Sequence, residues 1–102
     1  MLSVNNKRGS KTMKKTVITI IGKDNYGIIA AASAICAENK VNIIDITQSV
    51  LDDMFVMVML ADISAATCPF GEFSDKMRAF GTERGLDVRV MHEDIFNSMH
   101  RI

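Results

Sequence analysis

The chain has 102 residues, of which 48% are hydrophobic and 24% are charged, with one proline and six glycines. This size and composition are typical of one globular domain and exclude a fibrous or low-complexity protein. No apolar run approaches the roughly 18 residues of a membrane span, and the N-terminus lacks the apolar segment of a secretory signal. We therefore expect a cytoplasmic protein without a membrane partner.

The formal net charge of zero conceals an uneven distribution. Five basic residues and no acidic residue precede Thr16, whereas residues 16–102 carry seven basic and twelve acidic residues, a net charge of −5. An acidic body argues against a nucleic-acid partner, because contacts with phosphates need clustered Lys and Arg. Residues 1–13 are polar and aperiodic, which predicts a disordered N-terminal extension before a single domain at 14–102.

The first half of the domain reads as strand, turn and helix. Residues 16–21 are apolar and rich in β-branched side chains, which predicts a strand, and residues 27–39 are rich in alanine, which predicts a helix. The turn between them reads Gly22-Lys23-Asp24-Asn25-Tyr26-Gly27. The first N–H groups of a helix have no acceptor inside the helix, so such a turn can hold a small anion, for instance a carboxylate.

The remaining segments predict two further strands as a hairpin, a helix, a strand and a last helix. The strands are expected at 42–50 and 55–61, with a short polar break between them. Residues 70–84 carry Phe70, Phe73, Met77 and Phe80 on one helical face. Residues 86–92 alternate as a strand does, and residues 93–101 predict a short helix.

This order, β-α-β-β-α-β with a C-terminal helix, predicts a ferredoxin-like α+β fold. Both longer helices then cover one face of a four-stranded antiparallel sheet. The alternation of the second strand groups Ile44 with Ile46 and leaves Ile43 on the opposite, open face, together with half of the apolar side chains of the first and third strands. Exposed apolar surface marks an interface, so we predict a homodimer through the open face or the edge of the second strand.

The chain resembles the ACT domain family of small regulatory modules. Its turn, continued by Ile28-Ile29-Ala30, is similar to the family signature D-x-P-G-[IL]-[IVL]-A, and Val41-Asn42-Ile43 is similar to the usual entry into the second strand. Asp45-Ile46-Thr47-Gln48 and His92-Glu93-Asp94-Ile95-Phe96 are similar to stand-alone ACT proteins of bacteria and archaea, which are related to the ACT-type repressor of the glycine cleavage system.

The resemblance implies a ligand site shared between two copies. ACT domains typically pair and bind an amino acid between the turn of one copy and the second strand of its partner. By position, the ligand-binding residues are Asp24, Asn25, Tyr26, Gly27, Ile28, Asn42 and Ile43. One departure is Tyr26, which stands where the family usually has proline, so its ring narrows the pocket or its backbone leaves the turn freer.

Several candidate residues also have a purely structural interpretation. Asp24 or Asn25 is equally suited to cap the helix, and Asn42 to satisfy a neighbouring backbone group. His92 and His100 are eight residues apart, which does not match the usual spacing of helical metal ligands, and we expect neither a metal nor a cofactor. Cys36 and Cys68 are isolated and are expected to be buried, reduced thiols.

The sequence shows no catalytic constellation, so we expect a regulatory module rather than an enzyme. The leading hypothesis is an allosteric homodimer that binds a small amino acid or related metabolite and signals to a regulatory protein partner. One alternative is a protein-interaction module without a ligand. The other is a hydrolase like acylphosphatase, although the turn carries Lys23 and no arginine.

Overall fold

A computed structural model describes residues 14–23 and 27–99 of the chain. The described elements are the strand β1 (Lys15–Gly22), the helix α1 (Ile28–Glu38), the strands β2 (Asn42–Leu51) and β3 (Met54–Asp62), the helix α2 (Phe70–Arg84), the strand β4 (Asp87–His92) and the helix α3 (Glu93–Met99). The predicted N-terminal extension and residues 24–26 and 100–102, which include His100, lie outside the described residues.

The strands form one antiparallel sheet in the order β2-β3-β1-β4. This is the predicted ferredoxin-like β-α-β-β-α-β fold with a C-terminal helix. β2 and β4 are the two edges of the sheet, and β1 and β3 are central. The continuous apolar runs of β1 and β3 agree with this placement, because central strands have neighbours on both sides.

The core lies between one face of the sheet and the helices α1 and α2. Ile18 and Ile20 from β1, and Met57 and Met59 from β3, are all 0% exposed. The helices contribute buried residues to the same cluster, namely Ile28, Ala32, Cys36, Phe73, Met77 and Phe80. Three residues of the apolar stripe predicted on α2 thus lie in the core, as do Met57 and Met59 of β3, whereas Phe70 is only half-buried.

The open face of the sheet is less exposed than its sequence suggests. Val17 lies on that face by alternation but is only 3% exposed, and α3 packs against β1 and β4 near it. Ile21, Val56, Val58 and Leu60 are half-buried. The prediction that these side chains remain exposed is therefore wrong for Val17 and holds only in part for the other four, because neighbouring strands and α3 shield part of their area.

A β-bulge in β2 overturns the predicted alternation of that strand. Ile43 pairs with Ala61 and Asp45 pairs with Leu60, so Ile44 is the extra residue. As a result, Ile43 and Ile46 both pack against the core, whereas Ile44 is 43% exposed. The prediction that Ile43 stays exposed and that Ile44 shares the face of Ile46 is wrong, because one inserted residue reverses the alternation.

Candidate functional site

The strand-to-helix turn is held by close packing on both sides. Gly22 ends β1 against the side chain of Leu86, which a β-carbon at this position would overlap. Gly27 has a φ of +69°, in the left-handed region that glycine adopts without strain. Ile28 follows with a side chain that is 1% exposed, so the first turn of α1 is anchored in the core.

Gly27, rather than an acidic or amide residue, is the N-cap of α1. Its carbonyl accepts a hydrogen bond from the Ala31 N–H at 3.0 Å. The interpretation that Asp24 or Asn25 occupies the N-cap position is therefore wrong. The N–H groups of Ile28, Ile29 and Ala30 have no acceptor within the helix, as at the start of any α-helix. The structure describes no part of Asp24, Asn25 or Tyr26.

Two basic side chains lie near this turn. Lys23 Nζ is 3.9 Å from Asp53 Oδ2 in the β2–β3 connection, and both side chains are largely exposed. Nη2 of Arg84 is 3.6 Å from the point where a β-carbon on Gly27 would stand, and the same guanidinium lies 5.5 Å from the centre of the Phe80 ring. Arg84 was not predicted as a site residue. Its place at the end of a helix far along the chain gives no local signal.

The two halves of the predicted site lie at opposite ends of the sheet. Asn42 pairs with Asp62, which pairs with Lys15 at the start of β1. Gly22, at the other end of β1, pairs with Phe55, which pairs with Val50. At roughly 3.3 Å per residue, the two ends of β1 are about 23 Å apart. Within one chain, Gly27 and Ile28 lie together, and Asn42 and Ile43 lie elsewhere.

The edge strand β2 has distinct surfaces along its length. Asn42 is exposed, whereas the Ile43 side chain packs against the core. Asp45 Oδ1 accepts a hydrogen bond from the Ile46 N–H at 2.9 Å, so Asp45 fixes the strand beside the bulge. Beyond it the apolar side chains of Val50 and Leu51 are 65% and 72% exposed.

Residues 14–23 and 27–99 hold no group of three or more His, Cys, Asp or Glu side chains arranged for a metal ion. Over the same ranges no helix has the length and hydropathy to span a membrane. Cys36 and Cys68 are free thiols, as predicted; Cys36 is buried as expected, whereas Cys68 is only half-buried.

Comparison with known proteins identifies the family to which this domain belongs. The family model of the ACT domain matches residues 14–91. The chain therefore belongs to the ACT domain family, whose members are regulatory ligand-binding modules.

Individual relatives narrow the likeness to small stand-alone proteins. The chain is 46% identical over 90 residues to a UPF0237 protein of Methanocaldococcus jannaschii, covering 88% of this chain and all of the relative. It is 49% identical over 86 residues to a UPF0237 protein of Clostridium perfringens, covering 84% and 97%. An ACT domain protein from Streptococcus pneumoniae superposes with a TM-score of 0.71 at 35% identity, covering 81% of this chain and 93% of that one.

Proposed function

We propose that this protein is a ligand-sensing homodimer that binds a small amino acid or related metabolite at a site shared by two copies. The observation that carries the proposal is the separation, within one chain, of the turn at Gly27 from Asn42 at the opposite end of the sheet. A second copy brings such ends together when two edge strands pair antiparallel.

The edge strand β2 is suited to that pairing. Its outer side has no neighbouring strand among the described residues, and Ile44, Val50 and Leu51 are exposed along it. A two-fold axis near the middle of β2 sets Asn42 of one copy opposite Leu51 of the other. Leu51 precedes the connection that contains Asp53, which contacts Lys23 beside the turn. The start of one β2 thus approaches the turn of its partner.

The turn offers chemistry for a free amino acid. The carboxylate of the amino acid would meet the N–H groups at the start of α1, with Lys23 and Arg84 supplying positive charge nearby. Its amino group would be held by acceptors from Asp24, Asn25 and the amide of Asn42 in the partner. Ile43 contributes backbone rather than side chain, because its side chain packs in its own core.

A ligand at the seam of two copies biases their relative position. Binding that favours one arrangement over another provides a coupling free energy of about 1–3 kcal/mol, which a regulatory partner protein can read. The proposed role is that of a cytoplasmic sensor of metabolite concentration.

A ligand-free interaction module is the second candidate. Its support is the exposure of Ile95 and Met99 on α3, at 51% and 63%, which extends apolar surface away from the turn. This candidate predicts no stabilisation by any amino acid.

The test begins with a thermal-shift screen of the twenty amino acids, which should raise the melting temperature for one or a few of them. Gly27→Ala and Asn42→Ala should each weaken binding of the amino acid that emerges. A mixture of the two variants should then form a heterodimer with one full-affinity site. One of its two shared sites carries both substitutions, and the other carries neither.

The outcomes separate the candidates. Recovery of half the sites supports a shared site, whereas no recovery in the heterodimer means that the site lies within one chain. No shift with any amino acid at millimolar concentration contradicts the sensor and favours the interaction module.

A further inference from the structure

A cavity of about 250 Å³ lies at the end of the sheet opposite the turn. Its walls come from the start of β1, the connection between β3 and α2, the start of α2 and the end of β4. Lys14, Ile63, Cys68, Phe70, Phe73 and His92 are among the lining residues. Its volume is just below the range of about 300–1,000 Å³ that is common for small-molecule pockets.

Hydrogen bonds hold the wall formed by residues 63–69. The Ile63 N–H donates to the Lys14 carbonyl at 2.8 Å, and the Thr67 N–H donates to the Asn39 carbonyl at 3.0 Å. The Cys68 thiol donates to Asn39 Oδ1 at 3.4 Å, and Lys76 Nζ donates to the same oxygen at 2.8 Å. Asn39 itself is 5% exposed. The wall is thus tied to a buried amide and is formed before any ligand arrives.

The floor of the cavity is aromatic and its mouth is basic. Phe73 is fully buried, whereas Lys14 and His92 are exposed. The His92 ring stacks on Phe70 with ring centres 4.1 Å apart and an angle of 20° between the planes, which fixes the imidazole over the aromatic wall. None of the described lining residues is acidic. Hydrogen-bond donors at the mouth and apolar rings below suit a ligand with an acceptor group at one end and an apolar body at the other.

We propose that this cavity binds a small organic carboxylate with an aromatic or branched aliphatic body. The body enters against Phe70 and Phe73, and the carboxylate stays at the mouth, where the Lys14 ammonium and the His92 ring N–H donate to it. The cavity is separate from the turn at Gly27 by about the length of β1, roughly 23 Å. It shares its end of the sheet with Asn42, but neither Gly27 nor Asn42 lines it, so the two proposed sites use different residues.

The test is an NMR titration of the full-length protein with three probes. Phenylacetate carries both the ring and the charge, phenylacetamide keeps the ring without the charge, and acetate keeps the charge without the ring. We expect phenylacetate to give saturable shifts of the amides of Ala66, Phe70 and His92 below about 10 mM, and the two analogues to bind at least about threefold more weakly. The amides of Gly27 and Ile28 should not move.

Matched variants test which side chains bind the carboxylate of phenylacetate. Lys14→Gln and His92→Gln should each raise the Kd for phenylacetate by about two- to fivefold, the range for a partly exposed ionic contact. Arg78→Gln is the control, because Arg78 is a surface cation paired with Asp75 outside the cavity, and it should leave the Kd unchanged. Ala66→Leu fills part of the cavity and should abolish the shifts while the folded spectrum persists.

Several results would overturn the proposal. These are no saturable shift of the cavity amides with any probe, equal affinity for phenylacetate and phenylacetamide, or equal losses in the Lys14→Gln and Arg78→Gln variants. Shifts confined to Gly27 and Ile28 would assign the carboxylate to the turn instead. That last result would support the proposed sensor site while rejecting this one, so the two failures are distinguishable.

Discussion

Arg84 at the end of α2 and Gly27 before α1 are neighbours in space, with Nη2 of the arginine 3.6 Å from the position of a β-carbon on the glycine. The contact joins the C-terminal end of one helix to the N-terminal end of the other. It also places a guanidinium beside helix N–H groups that are themselves partly positive. Both helices therefore contribute to the surroundings of the turn, and a residue outside the turn adds positive charge to that of Lys23.

Replacement of Arg84 should lower affinity for a ligand carboxylate more than it lowers stability. We expect Arg84→Gln to weaken amino-acid binding by about two- to tenfold, because it removes a charge beside the turn. Arg84→Lys should retain part of the affinity. Calorimetric titration measures the Kd, and Arg78→Gln is the surface-charge control. Equal affinity in the wild type and the Arg84→Gln variant would place the carboxylate elsewhere.

Two glycines allow backbone strain to be separated from ligand contact. Gly27 and Gly85 have φ values of +69° and +71°. Among the described residues other than the chain neighbours, the atom nearest to a β-carbon on Gly27 is 3.6 Å away, and none lies within 4 Å of one on Gly85. Alanine should cost about 1–2 kcal/mol of unfolding free energy at both, since L-residues disfavour this region. Urea denaturation measures that loss. Only Gly27→Ala should also reduce the ligand-induced thermal shift; an equal reduction in Gly85→Ala would indicate a general effect of strain.

The two candidate dimer surfaces can be told apart with one charge on each. Leu51 is 72% exposed at the β2 edge, and Val58 is half-buried on the open face of the sheet. We expect Leu51→Lys to yield a folded monomer, because an ammonium group then replaces an apolar side chain that the pairing of two β2 strands would bury, while Val58→Lys remains a dimer. Analytical ultracentrifugation gives the mass, and circular dichroism verifies folding. The reverse pattern would locate the dimer on the open face.

Asn39 should be among the most sensitive polar positions. It is 5% exposed, and its amide accepts from Lys76 and Cys68 and donates to the Ile35 carbonyl at 2.8 Å. Asn39→Ala removes the side-chain hydrogen bonds to all three partners, so we expect a loss of about 1–3 kcal/mol in unfolding free energy. Chemical denaturation measures it. Lys76→Met, which removes only one partner, should lose less; an equal loss would show that the ion–amide contact dominates.

Burial of Cys36 predicts weaker stability in alkaline solution. Desolvation raises the pKa of this thiol from 9.0 to about 11. Below pH 9 the thiol is neutral in both states. Between pH 9 and 11 the unfolded chain ionises first, so unfolding should become easier by about 2–3 kcal/mol in total.

A comparison of unfolding free energies at pH 8 and pH 10.5 measures this effect. The difference between the two values should shrink in Cys36→Ala, because the variant lacks the buried thiol. An unchanged difference in Cys36→Ala would assign the alkaline loss to other groups. A thiol reagent at pH 8 should modify Cys68 before unfolding and Cys36 only after it.

The elements followed closely from residue patterns, whereas the register of β2 did not. The helix predicted at 70–84 coincides with Phe70–Arg84, because its apolar stripe and the αL glycine after it mark both the face and the end. The bulge at Ile44 was missed because its signal is the pairing of Ile43 and Asp45 with β3, a long-range property that no local alternation reveals.

The candidate site was predictable only in part for the same reason. The unusual backbone of Gly27 is local, since a positive φ favours glycine, and the turn was found from its residues. Arg84 was missed because its distance to Gly27 depends on how α2 packs. The grouping of Lys14, Phe70 and His92 around one cavity likewise required the folded chain.

The order of residues alone determined the strand and helix succession, the buried faces of most elements and the family. These depend on the spacing of apolar side chains and on backbone preferences over a few neighbours. Only the tertiary structure decided that Gly27 and Asn42 lie at opposite ends of the sheet, that Ile44 rather than Ile43 faces outward, and that Asn39 anchors the loop to α2. Such relations arise from contacts between residues distant in the chain, whose geometry is set by packing of the whole core.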